Sequence, residues 1–471
     1  MREVTWLRAE VFCVQQIIKV CGLVKPGVRP SLLSSAHLLT MFVSSVLQIP
    51  GCRALARWPR WLGLGVVCGG LALPAQAVVE LAVQLDTSWS SDSNPLRLPV
   101  GSDVQTLLGR PDKRDSTMSA DLRAAMMAPL GSDGTRLELV ATQGKRQYQH
   151  ETQLDHEVRQ LDARLYWQLT PLWRGRVTYG TDERLYQPQN NVQVGRDLMR
   201  QQVGSSELAL RVTEDLSVPL TLERLSVRHE NPQNQFLDRN DHVVQLALRY
   251  TSPLGSAVQL GSRRTGVDYP NRGSADAAVL DTHYTDQLHF VDVDWVYSPM
   301  TQFGGRLGLL QRHYDSLSDN NFDHRLATLR AIYQPSPLTR IDAEWGRRIY
   351  DSSTPSALYF LSSGLRVGLD WRWSELTRVR LQASHDRQQN QIANLPGASP
   401  AQADNMVNRL GASVNYTISR GWRLYAEGLR DRFTTVGGGT AIQQNVFRLG
   451  LEYTYESVAG TAARAGLGRR P

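Results

Sequence analysis

Apolar and polar residues alternate along this chain from Val78 to Glu456, in runs of about a dozen residues. The run from Leu161 to Leu169 has apolar residues at its odd positions and mostly charged or amide residues at its even positions. A period of two places all the apolar side chains on one face of a strand. Soluble strands average about 5–6 residues, whereas the strands of transmembrane barrels alternate over roughly 10. The pattern therefore predicts an all-β fold, a transmembrane antiparallel β-barrel.

Counting the alternating runs predicts about 18 strands, with about 16–20 as the range. An even number of strands leaves both chain ends on the periplasmic side of the membrane. The predicted strands span residues 79–90, 117–129, 135–150, 156–170, 173–187, 198–213, 219–230, 240–251, 256–268, 284–298, 303–315, 322–334, 339–350, 360–374, 378–390, 406–418, 422–434 and 445–456.

The connections between these runs fall into two alternating classes. Short ones, such as residues 252–255 and 336–339, carry proline at the second position, which fixes the turn and ends the hydrogen-bond ladder. Long ones, such as residues 269–283 and 390–405, are rich in Asn, Asp, Gly, Pro and Ser. This order predicts short periplasmic turns and long extracellular loops in the outer membrane of a Gram-negative bacterium. The longest loop, residues 94–116, is expected to fold into the pore or over its mouth.

Residues 1–77 are predicted to be an over-extended gene start followed by a signal peptide that is removed. Three arginines precede the uncharged stretch 61–73, and Ala75 and Ala77 occupy the two small positions that a signal peptidase recognises. A transmembrane anchor is less favoured because it needs about 20 apolar residues. The predicted organisation is therefore a removed leader at 1–77, a barrel at 78–456 and a C-terminal tail at 457–471.

Removal of the leader changes the charge and the cysteine content. Eight Lys/Arg and two acids lie in residues 1–77, so the 52 basic and 45 acidic residues of the whole chain become 44 and 43. The balanced remainder gives no support for nucleic-acid binding, which needs a clustered basic face. All four cysteines also lie in the leader, so the mature chain is expected to contain no disulfide and no cysteine metal site.

The polar face of each strand is expected to line the lumen, because a charge facing lipid at mid-membrane costs about 2–4 kcal/mol. An 18-stranded barrel is too wide for side chains to fill and leaves an aqueous channel. The luminal arginines either pair with acids on the same register, such as Asp292 and Glu427, or form a lining that a passing polar polymer contacts. The candidate polymer-contacting residues are Arg164, Arg176, Arg211, Arg249, Arg306, Arg366, Arg372, Arg380, Arg409 and Arg448.

Motifs that would carry catalysis are absent from the sequence. It contains no GxSxG, HExxH, P-loop or GxGxxG pattern, so we expect no enzyme activity, no cofactor and no metal site. The histidines of the barrel lie mostly near strand ends and loops, where we expect solvated side chains. Aromatic residues such as Trp371 and Tyr453 lie towards strand ends, which predicts a girdle at headgroup depth.

Three stretches resemble the EpsL-type outer-membrane proteins of exopolysaccharide operons, within the wider β-barrel porin group. They are residues 93–98 (SNPLRL), 109–117 (GRPDKRDST) and 161–171 (LDARLYWQLTP). In the first, Pro95 and Leu96 replace the apolar and aromatic pair that is usual in that family. The resemblance implies a role in the export or assembly of an extracellular polysaccharide, and it brings no catalytic residues with it.

The sequence leaves three functions open. The favoured one is a channel for export or assembly of an extracellular polysaccharide, with the polymer, other export components and outer-membrane lipids as partners. The second is a general diffusion porin, and the third is a barrel-embedded hydrolase. A receptor with about 22 strands and an N-terminal plug is excluded by length.

We predict that the signal peptide is cleaved after Ala77, because Ala75 and Ala77 present small side chains at the recognised positions. N-terminal sequencing of the protein isolated from outer membranes should begin at Val78. A mature chain that begins far upstream of Val78 would contradict this assignment of the leader.

Overall fold

The computed structural model describes residues 78–131, 134–187, 195–352, 357–391, 404–436 and 441–467. The predicted leader, including Ala75 and Ala77, lies outside these residues. The described chain forms eighteen antiparallel strands: β1 Glu80–Asp92, β2 Asp115–Pro129, β3 Arg136–Tyr148, β4 His156–Gln168, β5 Trp173–Leu185, β6 Leu198–Arg211, β7 Leu216–His229, β8 Arg239–Thr251, β9 Ala257–Asp268, β10 His283–Ser298, β11 Thr301–Tyr314, β12 Phe322–Ser336, β13 Thr339–Asp351, β14 Tyr359–Arg372, β15 Thr377–Gln391, β16 Asn405–Ser419, β17 Trp422–Thr435 and β18 Ala441–Glu456.

The sheet closes on itself through its first and last strands. Each strand pairs with its neighbours in sequence, and β1 also pairs with β18. Leu85 on β1 lies opposite Leu122 on β2 and opposite Tyr453 on β18. Closure removes the sheet edges, whose unpaired backbone groups a bilayer cannot solvate. The predicted transmembrane antiparallel barrel of about 18 strands is confirmed.

The outer face of the barrel carries the apolar half of each alternating run. Leu246, Leu260 and Leu307 are 55%, 61% and 61% exposed, and similar side chains continue around the barrel. An apolar surface of this extent is not stable in water and indicates a lipid-facing belt. Aromatic rings gather near the periplasmic turns, where Trp371 and Trp373 stack at 5.7 Å between ring centroids.

The connections differ in length at the two ends of the barrel. The short ones are residues 130–135, 169–172, 212–215, 252–256, 299–300, 337–338, 373–376 and 420–421. At the opposite end, two short helices lie in loops: α1 Val104–Leu108 and α2 Ser274–Leu280. A third, α3 Thr461–Arg464, lies in the tail beyond β18, at the periplasmic end. Loops also contain 3-10 turns at Thr152–Leu154, Pro232–Leu237 and Ser318–Asn320. In the described part of the chain, no helix is long and apolar enough to cross a membrane.

Strand ends differ from the predicted ones by a few residues, most clearly at β18. This strand begins at Ala441 rather than at residue 445. The backbone N–H of Val100 donates to the carbonyl of Ala441 at 2.7 Å, and Pro99 forms a β-bridge with Ile442. The loop after β1 therefore extends β18 by supplying partners that the local sequence does not show.

A tyrosine ring fills the space beside one luminal glycine, where a side chain would otherwise lie. Tyr425 on β17 is 1% exposed and lies against Gly450 on β18, where a Cβ would stand 2.1 Å from the ring. Its hydroxyl donates to Oδ1 of Asp86 on β1 at 3.0 Å. Tyr425 thus spans the seam at which the barrel closes, and a glycine at position 450 gives it the space.

We predict that Gly450→Val lowers the stability of the refolded barrel by about 1–3 kcal/mol, because the new side chain displaces Tyr425. Gly428→Val is the matched control, since a Cβ at Gly428 meets nothing within 4 Å. The measurement is the unfolding midpoint of each variant in detergent. Equal midpoints for the two variants would show that the ring over Gly450 does not stabilise the seam.

Candidate functional site in the barrel lumen

The strand register places the ten predicted arginines on the inner face. Arg164, for example, lies opposite Glu138 on β3 and Thr178 on β5, while its neighbour Leu165 shares the outer face with Leu137. The same parity, followed through the ladders, holds for Arg164, Arg176, Arg211, Arg249, Arg306, Arg366, Arg372, Arg380, Arg409 and Arg448. Contact between these side chains and a polymer stays a prediction.

Five of these arginines form ion pairs with luminal acids. Arg306 forks onto Asp292 with two hydrogen bonds of 2.6 Å, a geometry that adds strength and fixes the guanidinium plane. The other pairs are Arg164–Glu138 at 4.0 Å, Arg176–Glu207 at 3.0 Å, Arg409–Asp431 at 3.1 Å and Arg448–Glu427 at 3.4 Å. These charges largely neutralise each other along the wall.

A second group of luminal arginines has no acidic partner. Arg211 donates to the backbone carbonyls of Thr213 and Glu214 in a periplasmic turn. Within the described residues, no side-chain hydrogen bond or ion pair is formed by Arg249, Arg366, Arg372 or Arg380. Three of these four, Arg366, Arg372 and Arg380, lie on the adjacent strands β14 and β15. Their exposed guanidinium groups are available to a solute in the lumen.

The extracellular end of the β13–β14 hairpin leaves the barrel wall. The two strands pair along their whole length, up to Asp351 opposite Tyr359. The ladder between β12 and β13 instead stops at Ala327 opposite Arg347, within the described residues. Tyr359 packs on the luminal Phe322 of β12, with ring centroids 4.2 Å apart. The hairpin end therefore leaves the wall and lies inside the lumen, against the inner face of the neighbouring strands.

Asp351, near the tip of this hairpin, is held by the inner faces of three strands that precede β13 along the wall. Its carboxylate accepts hydrogen bonds from Arg239 on β8 at 2.5 Å, from Arg312 on β11 at 3.0 Å and from the hydroxyl of Tyr284 on β10 at 2.8 Å. Arg312 also forks onto Asp286 at 2.7 and 2.8 Å. Removing one member of such a buried charge network leaves another charge uncompensated, which is strongly destabilising.

Apolar side chains surround this network and close that side of the mouth. Leu358 and Tyr359 of the hairpin pack with Leu280 of α2, Tyr284 and Tyr314, all less than a tenth exposed. The cluster also contains Val267 and Tyr269. Apolar packing inside a pore replaces water with protein, so the cluster narrows the extracellular entrance.

Asp281 joins the β9–β10 loop, which contains α2, to the β11–β12 loop. Its Oδ2 accepts from the backbone N–H groups of Ser316 at 2.7 Å and Leu317 at 3.0 Å. Burial alone would raise the pKa of this carboxyl, but its backbone hydrogen bonds hold the pKa below the ordinary value. The two loops are therefore joined through an ionised aspartate at neutral pH.

The loop after β1 also enters the mouth. Asn94 is fully buried and donates to the carbonyls of Leu98 at 2.9 Å and Gln443 at 3.0 Å. Arg97 donates to Gln444 at 3.0 Å and lies 3.9 Å from the luminal Asp431. The first part of the predicted long loop thus folds against the inner wall.

At the periplasmic end, the C-terminal tail folds against the luminal wall. Ala462 and Leu467 pack on Ala82 and Ala125, which share the inner face of β1 and β2. Arg123 donates to the carbonyl of Leu467 at 3.4 Å. The tail therefore reduces the free cross-section of the periplasmic opening.

The expectation of solvated loop histidines is wrong for His229. Its side chain is 2% exposed, and Nδ1 lies 3.0 Å from Oδ1 of Asp238. Tyr186 packs against its ring at 4.9 Å between centroids. The sequence gives no signal for this pair, because the two residues meet only through the β7–β8 connection. Among the described residues, no group of three or more His, Cys, Asp or Glu side chains is placed to hold a metal ion.

Comparison with known proteins gives similarity in solved structures only. No protein-family model matches the chain. No curated protein matches it either. The label of EpsL-type protein therefore rests on the short sequence stretches alone.

Solved structures similar to this chain are outer-membrane proteins. Pseudomonas aeruginosa OccK2 (OpdF) has a TM-score of 0.47 at 9% identity, covering 81% of this chain and 98% of that one. P. aeruginosa OccK9 (OpdG) has a TM-score of 0.46 at 11% identity, with 80% and 98% covered. Acinetobacter baumannii OccAB3 has a TM-score of 0.45 at 9% identity, with 80% and 99% covered. No substrate carries over at these identities. The closed sheet, the apolar belt and the charged lumen of this chain identify it as an outer-membrane β-barrel channel of a Gram-negative bacterium.

Proposed function

We propose that the chain is a passive diffusion channel with a modest preference for small anionic solutes. The observation that carries this proposal is the unpaired state of Arg249, Arg366, Arg372 and Arg380 among the described residues. Because most other luminal charges are paired, these guanidinium groups determine the local sign of the field that a solute meets. Asp342 lies over Gly368 on the same wall and limits the preference for anions.

The narrowed openings favour small solutes over a polymer. The β13–β14 hairpin and the segment 94–98 occupy the extracellular mouth, and the tail occupies part of the periplasmic one. A polysaccharide of many residues would need these elements to move together, whereas a small solute passes between them. We propose transport without catalysis.

Polysaccharide export is the second candidate. It is favoured by the resemblance at residues 93–98 and 109–117, of which Asn94 lies inside the mouth. Asp115, within the second stretch, is buried and accepts from the backbone N–H groups of His150 and Glu151. These contacts give the stretches a structural role in loop packing, which is independent of any polymer.

We predict that Arg366→Gln with Arg380→Gln lowers the anion/cation permeability ratio by about threefold, because two unpaired cations leave one wall. The control is Arg176→Gln with Glu207→Gln, which removes a pair and leaves the net charge unchanged. Reversal potentials of single channels across a salt gradient measure the ratio. A ratio that is the same in both variants and in the unaltered protein would contradict the proposed selectivity. The second candidate would be favoured if the purified, unaltered channel shows normal anion currents and a strain that lacks the gene no longer secretes polysaccharide.

We predict that Asp351→Ala raises single-channel conductance, because the hairpin loses the contacts that anchor its end inside the lumen. The loss of a partner from a buried charge network costs about 3–5 kcal/mol, which favours release of the hairpin end from the luminal wall. Asp294→Ala is the matched control: it removes a luminal carboxylate from a solvent-exposed pair with Arg330. A conductance that does not change in Asp351→Ala would show that the hairpin does not restrict the channel.

A further inference from the structure

Within the eighteen described strands, charged residues on the outer face appear only towards the extracellular ends. On β17 the outward residues run Trp422, Leu424, Ala426 and Gly428 before Arg430 and Arg432. On β7 and β9 the first outward charges are likewise Arg224 and Arg264, both exposed. On these three strands the lipid-facing belt thus ends at a cationic border. This border is where the headgroups of the outer leaflet lie.

An apolar groove on the outer face leads up to Arg430. It has a volume of about 680 Å³ and runs across β14 to β18. The groove exists because Ala383, Ala412 and Gly428 present small side chains or none, between the larger Leu381 and Leu410. A Cβ at Gly428 would meet nothing within 4 Å. An acyl chain has the shape and the polarity to fill such a groove.

Polar side chains lie in register at the upper end of the groove. Arg430 lies opposite Asn445, and Arg432 lies opposite Asn408 and Gln443. Both arginines are exposed, and within the described residues neither side chain forms a hydrogen bond or an ion pair. Together these five residues offer two guanidinium forks and three amides, with no carboxylate in the same two rows.

We propose that this groove and its upper border bind a phosphorylated, acylated glycolipid of the outer leaflet. Its phosphates contact Arg430 and Arg432, since guanidinium groups match phosphate oxygens in a bidentate way. The amides of Asn408, Gln443 and Asn445 contact the sugar, and an acyl chain lies in the groove. A second copy of the barrel fits less well, because its outer border presents Arg224 and Arg264, which repel a cationic surface.

The test uses the full-length barrel in neutral detergent, titrated with hexa-acylated lipid A and followed by native mass spectrometry. Arg430→Gln with Arg432→Gln should weaken binding by about tenfold or more, because two charge-assisted contacts are lost. Gly428→Leu should weaken it without changing any charge, since it fills the groove. The matched control, Arg224→Gln with Arg264→Gln, removes two outward cations away from the groove and should retain binding.

Several results would overturn the proposal. Equal weakening in the Arg430/Arg432 and Arg224/Arg264 variants would mean that the border acts as a diffuse charge rather than as a site. Equal binding of dephosphorylated lipid A would remove the role of the phosphates, and preferred binding of phosphatidylglycerol would assign the groove to a phospholipid. A barrel dimer lost in the Arg430/Arg432 variant would assign the surface to a second copy. Each variant must also keep the single-channel conductance of the unaltered protein, which shows that the barrel is folded.

Discussion

Every backbone N–H and C=O group inside a bilayer must find its partner within the protein, because lipid offers none. This chain meets that constraint with a sheet that closes between β1 and β18. Once the sheet is closed, the pleat assigns each residue to lipid or to the lumen by its parity alone. The charged luminal wall and the outer apolar groove both follow from that division. Arg366 and Arg380 lie on the inner face, and Arg430 lies on the outer one.

Charge is handled differently on the two faces. Inside, arginines such as Arg306 are paired with acids, whereas Arg249, Arg366, Arg372 and Arg380 are unpaired among the described residues. Outside, charge is confined to the extracellular ends of the strands, where Arg430 and Arg432 have no acidic neighbour in their rows. Arginine therefore occurs both in a luminal wall whose charges are largely neutralised and in a cationic border beside lipid.

The alternation of apolar and polar residues was enough to predict the barrel, the strand number and the luminal parity of residues such as Arg164. Each of these depends on the local period of two, which the sequence carries directly. Contacts between distant strands leave no such trace. The anchoring of Asp351 by Arg239 and Arg312, and the burial of His229 beside Asp238, depend on loops folding into the mouth. The outer groove at Gly428 also needs three neighbouring strands in register before it exists.

The sidedness of the strands is tested most directly by thiol labelling, since all four cysteines of the chain lie in residues 1–77. Arg380→Cys and Val379→Cys differ by one position on β15, and each is introduced into the mature barrel separately. A charged, water-soluble thiosulfonate should modify Arg380→Cys and reduce its single-channel conductance. It should leave the conductance of Val379→Cys unchanged, because that thiol faces lipid. The opposite result, with block at position 379 and none at position 380, would contradict the assignment of the lumen.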